Sequence, residues 1–252
     1  MIDFQAVSKT FSGRTAVQAL ADVDLHIRDG EFVALLGPSG CGKSTLLNLL
    51  AGFEPLSDGQ LTFDGRVVQK PGPDRAVVFQ EASLFPWLSV FDNVTFGPRV
   101  QRLSRAEYES RAHDMLRLVG LEAFKDALPA QLSGGMRQRV GIARALVMNP
   151  RALLMDEPFG ALDAQTRLAM QQLLLDVWET LGIAVLFVTH DIDEAILLAD
   201  RICVMSARPG RITREIAVEL PRPRSIENLI TPDFIAYKAT IMAEMKLAHG
   251  TH

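Results

Sequence analysis

Apolar positions in this chain fall into two kinds of pattern. FVALL, ALLM and AVLFV are short runs with no polar residue among them, and each stops at a Gly, an acid or a Thr-His pair. Runs of that length and composition predict strands buried on both faces. TRLAMQQLLLDVWETLG and DEAILLAD instead repeat their apolar residues every three or four positions, which predicts helices on either side of AVLFV. Fully apolar strands alternating with helices imply a mostly parallel sheet flanked by helices, an α/β class. Ahead of it, MIDFQAV and DVDLHI are strand-like pieces broken by turn signals at Ser12-Gly13 and Asp29-Gly30, and LTFDG and RAVVFQ add further strands. From about Glu81 to Asn149 no convincing strand remains, and RAEYESRAHDMLRLVG has helical spacing, so a helical insert is expected. RICVMS and GRITREIAVEL resume the strand pattern. After Pro221 a loop and one amphipathic helix are expected, too short for another domain. No internal repeat is visible, which removes solenoids and propellers.

Charge changes the picture by exclusion. With 26 Lys and Arg against 30 Asp and Glu, the formal net charge is −4, without the basic excess of a nucleic-acid binder. Cys41 and Cys203 are far apart and match no zinc spacing, so neither a metal site nor a disulfide framework is expected, and the usage suits a reducing compartment. The longest apolar stretches are too short to span a bilayer, and MIDFQAV lacks the regions of a signal peptide. A membrane role would therefore have to come through a partner.

Candidate chemistry starts at Gly37-Pro38-Ser39-Gly40-Cys41-Gly42-Lys43-Ser44, which fits G-x-x-x-x-G-K-[ST] between a strand and a helix. In such a P-loop the glycines let backbone N–H groups approach phosphate, Lys43 offsets the β/γ charge, and the Ser44 hydroxyl can ligate Mg²⁺, with Thr45 as a further hydroxyl contact. Asp156 and Glu157 end the ALLM strand and supply one acid for Mg²⁺ and one to orient or deprotonate water; alone, such a pair could equally be a turn or a cap. His190 and Gln80 also end strands, where parallel sheets place ligand-binding groups, although each alone could be structural.

A second phosphate-binding pattern, LSGGMRQRV from Leu132, follows far downstream of the P-loop. With it, nearly the whole chain resembles the ATP-binding cassette (ABC) ATPases, a group with a P-loop NTPase core, an antiparallel β subdomain on the N-terminal side and an inserted helical subdomain. The resemblance implies that Ser133, Gly134 and Gly135 face the γ-phosphate held by the P-loop of the opposite subunit in a head-to-tail dimer. A Ser-capped helix N-terminus suits that task, because its N–H groups meet an anion only when a partner presents one. It also implies that Gln80 senses Mg²⁺ and the attacking water, that His190 contacts the γ-phosphate, that Asp163 of ALD lies in the loop crossing the dimer, and that Phe11 stacks on adenine. Met136 departs from the Gln often found there. Arg137, Arg139 and Arg144 could form a phosphate stripe, against the alternative of solvated or salt-bridged arginines on one face.

On this resemblance residues 1–220 form the ATPase domain, with the core at about 1–83 and 150–220, the helical subdomain at about 84–149, and an extension at 221–252. A second subunit, most simply an identical one, completes two ATP sites, and the absence of a spanning segment points to a separate permease. Leu84, Phe85, Pro86, Trp87 and Leu88 follow Gln80 and could be either a docking groove for a permease helix or lobe core. GPDRAVVFQEASLFPWLSVFDNV, DEPFGALDAQTR and THDIDEAILLADRICVMSARPGRI are similar to the ATPase subunits of nitrate, sulfonate and taurine importers, the taurine and alkanesulfonate branch above all. That implies ATP and Mg²⁺ as cofactors, an external substrate-binding protein, no nucleic acid, and a place on the cytoplasmic face of the membrane. Export or lipoprotein release, action on DNA or ribosomes, and a P-loop kinase or GTPase are the competing readings; the last leaves LSGGMRQ and His190 unexplained.

Overall fold

The computed structural model describes every residue except Arg14, Thr251 and His252, and the side chains of all those described except His249 and Gly250. Thr251 and His252, the end of the expected extension, lie outside the described residues. In chain order the strands and helices are β1 (Ile2–Phe11), β2 (Val17–Ile27), β3 (Phe32–Leu36), α1 (Lys43–Ala51), β4 (Asp58–Phe63), β5 (Arg66–Val67) and β6 (Arg75–Val78). They continue with α2 (Val90–Val100), α3 (Arg105–Leu118), α4 (Gly134–Leu146), β7 (Ala152–Asp156), α5 (Ala164–Leu181), β8 (Ala184–Val188), α6 (Ile192–Leu198), β9 (Arg201–Met205), β10 (Ile212–Ala217) and α7 (Pro232–Gly250). The fold is of the α/β class, with parallel strands and helices beside an antiparallel sheet, and the chain divides into two compact units, 1–72 with 184–252, and 73–183.

The first unit holds two sheets. β2, β1, β4 and β5 form an antiparallel sheet in that order, and β3 lies between β8 and β9 in parallel register, with β10 antiparallel on β9. β3 and β8 are buried at every position, as their unbroken apolar runs require. β1 is longer than MIDFQAV suggests and carries a register shift between Phe4 and Val7, with Ala6 in the left-handed region at φ 46°. Between the two sheets, Gly210 N donates to Ala19 O at 2.9 Å and Ala21 N donates to Gly210 O at 3.1 Å. A Cβ on Gly210 would sit 1.9 Å from Cys41 O, so only glycine lets this backbone lie against the P-loop.

The second unit pairs β6 with β7 in parallel and carries α2 to α5. Helix starts follow side-chain caps: Ser89 accepts from Asp92 N, Ser104 forms a capping box with Glu107, and Asp163 accepts from Thr166 N. β6, β7 and α5 group with the helices of 84–149 in this second compact unit.

The C-terminal helix departs from expectation in character. α7 buries Phe234, Ile241 and Ala248, with Tyr237, Lys238, Glu244 and Met245 half-buried between them, while Ile235, Met242 and Leu247 are exposed, so it is not cleanly amphipathic. Among the described residues no helix is long and apolar enough to cross a membrane.

Candidate functional site

In the first unit β3 leads into the loop 37–42 and then α1, the strand-loop-helix order that the motif requires. Gly40 and Gly42 take φ of +75° and +103°, and a Cβ on Gly42 would come within 2.7 Å of Leu20 Cδ2. Gly37 is confined in another way, since a Cβ there would meet Cys41 Sγ and Met205 O at 2.9 Å. Lys43 is only 6% exposed, and its Nζ donates to Gly37 O at 2.8 Å and Pro38 O at 3.0 Å, so the ammonium is folded into the loop. α1 follows an N-cap, Gly42, that makes no side-chain cap, unlike the N-caps of α2, α5 and α6, and it has no acid in its first turn, unlike α2 and α6. An uncapped helix N-terminus, a wrapped glycine loop and a buried ammonium fit a polyphosphate, which would take up those N–H groups. Arg208 Nε donates to Gly40 O at 2.8 Å and ties the loop from β9 to the P-loop.

His190 lies in the same unit, exposed between two fixed residues. Thr189 N donates to Leu35 O, Thr189 Oγ1 donates to Glu194 Oε2 at 2.6 Å, and Asp191 caps α6 through Asp193 N and Glu194 N. Phe11 is 39% exposed at the end of β1, with Lys9 Nζ 4.8 Å from its ring centre, so it is a surface ring and not core.

The second unit brings Gln80, the acids, the LSGGMRQ segment and Asp163 onto neighbouring elements. Asp156 ends β7, and Glu157 follows it at φ 45°, a left-handed conformation that non-glycine residues seldom take. Gly160 N donates to Glu157 O at 3.1 Å, and a Cβ on Gly160 would sit 3.2 Å from Gln80 Nε2, which places the Gln80 amide against the loop that follows the acids. Ser133 caps α4 by accepting from Met136 N at 3.2 Å, and Ser133 and Gly134 are exposed. Gly135 is buried because a Cβ there would lie 2.5 Å from Thr166 Cγ2, the residue whose N–H bonds to Asp163. A groove of ≈ 570 Å³ runs among Gln80, Leu84, Pro129, Gly134 and Leu162. Trp87 is 73% exposed, with its ring 5.7 Å from Phe85, so it is not lobe core.

The arginines after the LSGGMRQ segment hold backbone and are neither a phosphate stripe nor a salt-bridged face. Arg137 donates to Leu132 O, Arg139 to Val119 O, and Arg144 to Ala82 O and Ser83 O. Burial pushes the Arg144 guanidinium down from its ordinary value. Gln138 has no counterpart among the residues singled out from sequence. It is buried in α4 and its Nε2 donates to Phe79 O at 3.0 Å, so α4 holds the residue before Gln80. A polar side chain amid the apolar face of a helix was the available signal. Cys41 and Cys203 are buried free thiols, and burial raises both pKa values.

The family model described as ABC transporter matches residues 20–160. The chain belongs to the ABC transporter family. It is 56% identical over 210 residues to the taurine import ATP-binding protein TauB of Rhizobium johnstonii, covering 83% of this chain and 80% of that one. The nitrate import ATP-binding protein NrtD of Synechocystis is 44% identical over 252 residues, covering 97% and 95%. Among solved structures, the ABC cassette MJ0796, a dimer in a post-hydrolysis state bound to ADP and Pi, superposes with a TM-score of 0.75 at 36% identity, covering 88% of this chain and all of that one. This ABC protein is thus an ATPase of the importer type.

Proposed function

We propose that this chain hydrolyses ATP to drive import of taurine or a related aliphatic sulfonate, with nitrate-type anions as the next class, through a separate permease. The observation that carries the ATP part is the start of α1, where Lys43 is buried in the loop and the N-cap residue Gly42 provides no side-chain cap. The solute class rests on likeness to TauB.

In this reading residues 1–83 and 150–220 work as the catalytic core, 84–149 as the helical subdomain and 221–252 as an extension. Backbone N–H groups of residues 37–42, with Lys43 and Thr45, bind the triphosphate, and Phe11 stacks on adenine. Ser44, Gln80 and Asp156 would hold Mg²⁺, which when bound would neutralise phosphate charge. Glu157 accepts the proton of the attacking water, Gln80 orients that water and His190 contacts the γ-phosphate. Ser133, Gly134, Gly135 and Asp163 serve the nucleotide of a second, identical subunit. The chain then sits at the cytoplasmic face of the membrane through its permease, with an external receptor supplying the solute.

The groove beside Gln80, lined by Leu84 and Pro86, with the exposed Trp87 next along the chain, is the docking place for a permease helix. Trp87→Ala is therefore expected to lower permease-stimulated hydrolysis while leaving ATP binding intact; equal stimulation of variant and parent removes that role. The whole reading is tested by reconstituting the chain with the permease and receptor of a taurine importer. ATP-dependent uptake of labelled taurine is expected, and hydrolysis without uptake of taurine, alkanesulfonates or nitrate contradicts it.

A further inference from the structure

We infer that the segment following β10 is a clamp that positions His190, with Arg224 as its principal positioning residue. This rests on the role given to His190 above. α6 is only seven residues long and follows His190 after the capping Asp191, so the placement of His190 depends on how this short helix is held. Too few turns exist for α6 to be stable by its own hydrogen bonds.

The C-terminal segment holds α6 at both ends. Arg224 is 2% exposed, and its guanidinium uses all five of its N–H groups on backbone carbonyls. Nη1 donates to Ile196 O at 3.0 Å and Ala199 O at 2.6 Å, at the C-terminal end of α6. Nη2 and Nε donate to Val218 O and Leu220 O, in the strand exit that precedes the arginine itself. One planar group therefore ties the end of α6 to the chain leaving β10. Its neighbour Arg222 donates to Leu198 O at 2.8 Å and to Asp200 Oδ1, while Asp200 Oδ2 accepts from Phe32 N, the first residue of the strand that leads to the P-loop. At the other end of α6, Lys238 of α7 donates to Asp193 Oδ2 at 2.8 Å.

The chemistry of the clamp argues for a purpose beyond general packing. Removing a guanidinium from water is costly, and burial, reinforced by Arg222, pushes the Arg224 pKa down to about 10. A positive group beside helix-terminal carbonyls is favourable, and a planar fork fixes direction as a Lys ammonium does not. Thr189 and Asp191, on either side of His190, are both bonded to α6, through Thr189 Oγ1 to Glu194 Oε2 and through Asp193 N and Glu194 N to Asp191 Oδ1, while Leu35 O holds Thr189 N from the strand side. Displacement of α6 therefore pulls on both neighbours of His190.

The test is a double-mutant comparison in the full chain, reading kcat and KM for ATP hydrolysis, with Arg224→Met, Arg224→Lys, Arg222→Gln and Lys238→Ala each made in the parent and in His190→Ala. Arg224→Met is expected to lower kcat about tenfold with KM within about twofold of the parent. Arg224→Lys restores less than half of the loss, and the partly exposed Lys238→Ala lowers kcat about threefold. In the His190→Ala background the same substitutions change kcat by less than about twofold, because their route of action is already gone. Equal fold losses in both backgrounds, or an undiminished kcat in the folded Arg224 variants, overturn the clamp. Should Arg224→Met fail to fold, Arg222→Gln and Lys238→Ala decide by the same criterion. If His190→Ala alone hydrolyses ATP at the parental rate, the role of His190 fails and the clamp's catalytic purpose with it, an outcome distinct from additive losses beside a strong His190 effect.

Discussion

At the start of α1 the chain leaves its helix N–H groups without a side-chain cap and folds a buried ammonium into the loop before them; at the start of α4 Ser133 caps the helix and the cation of the first turn, Arg137, is turned back onto Leu132 O. The first terminus carries a cation suited to an anion. The second is satisfied as it stands and offers an exposed Ser133 and Gly134 to whatever another molecule brings. On the proposed function, nucleotide affinity and nucleotide turnover draw on different helix starts: α1 would hold ATP, and α4 would contribute only when a loaded partner meets it.

Four substitutions break or sharpen that contrast. The largest effect is expected from Glu157→Gln, which keeps every phosphate contact but removes the proton acceptor. Turnover should fall about a hundredfold or more while ATP binding persists, and single-turnover hydrolysis beside equilibrium binding checks it. Lys43→Ala should weaken ATP binding itself by about ten- to a hundredfold, since hydrogen bonds to charged groups contribute about 1.5–3 kcal/mol. Titration of a fluorescent ATP analogue measures it, and unchanged affinity contradicts the role of α1. Gly135→Ala forces a methyl to 2.5 Å from the branched, rotamer-restricted Thr166, so α4 and α5 must part; thermal unfolding should show a loss of about 1–3 kcal/mol. The smallest effect is expected from Ser133→Ala. It costs about 1 kcal/mol of capping, lowers turnover, and leaves binding of the first ATP as it was.

Much of this was legible in the sequence because the deciding signals are local. FVALL, ALLM and AVLFV each became a buried strand, and Ser89, Ser104, Ser133 and Asp163 each start a helix as short oxygen side chains should. The P-loop declared itself because only glycine can take the φ of Gly40 and Gly42 there. What stayed hidden depends on contacts distant along the chain. The apolar face of α4 marks Gln138 as a buried polar group but not Phe79 O as its partner, and nothing local marks Arg224 as the donor to the Ile196 and Ala199 carbonyls. The arginines after Gly135 read as a charged face, yet they serve carbonyls of other segments, because loops in a compact unit need donors more than solvent needs charge. α7 misled for a similar reason: its apolar residues outnumber the buried positions at Phe234, Ile241 and Ala248.

The central claim is that one copy binds ATP and two copies hydrolyse it. Specific hydrolytic activity of the purified chain, measured across a dilution series that spans monomer to dimer, tests it most directly. The account predicts activity per chain that falls toward zero as the dimer dissociates while ATP binding stays constant. Activity per chain that remains constant down to strictly monomeric protein would contradict it.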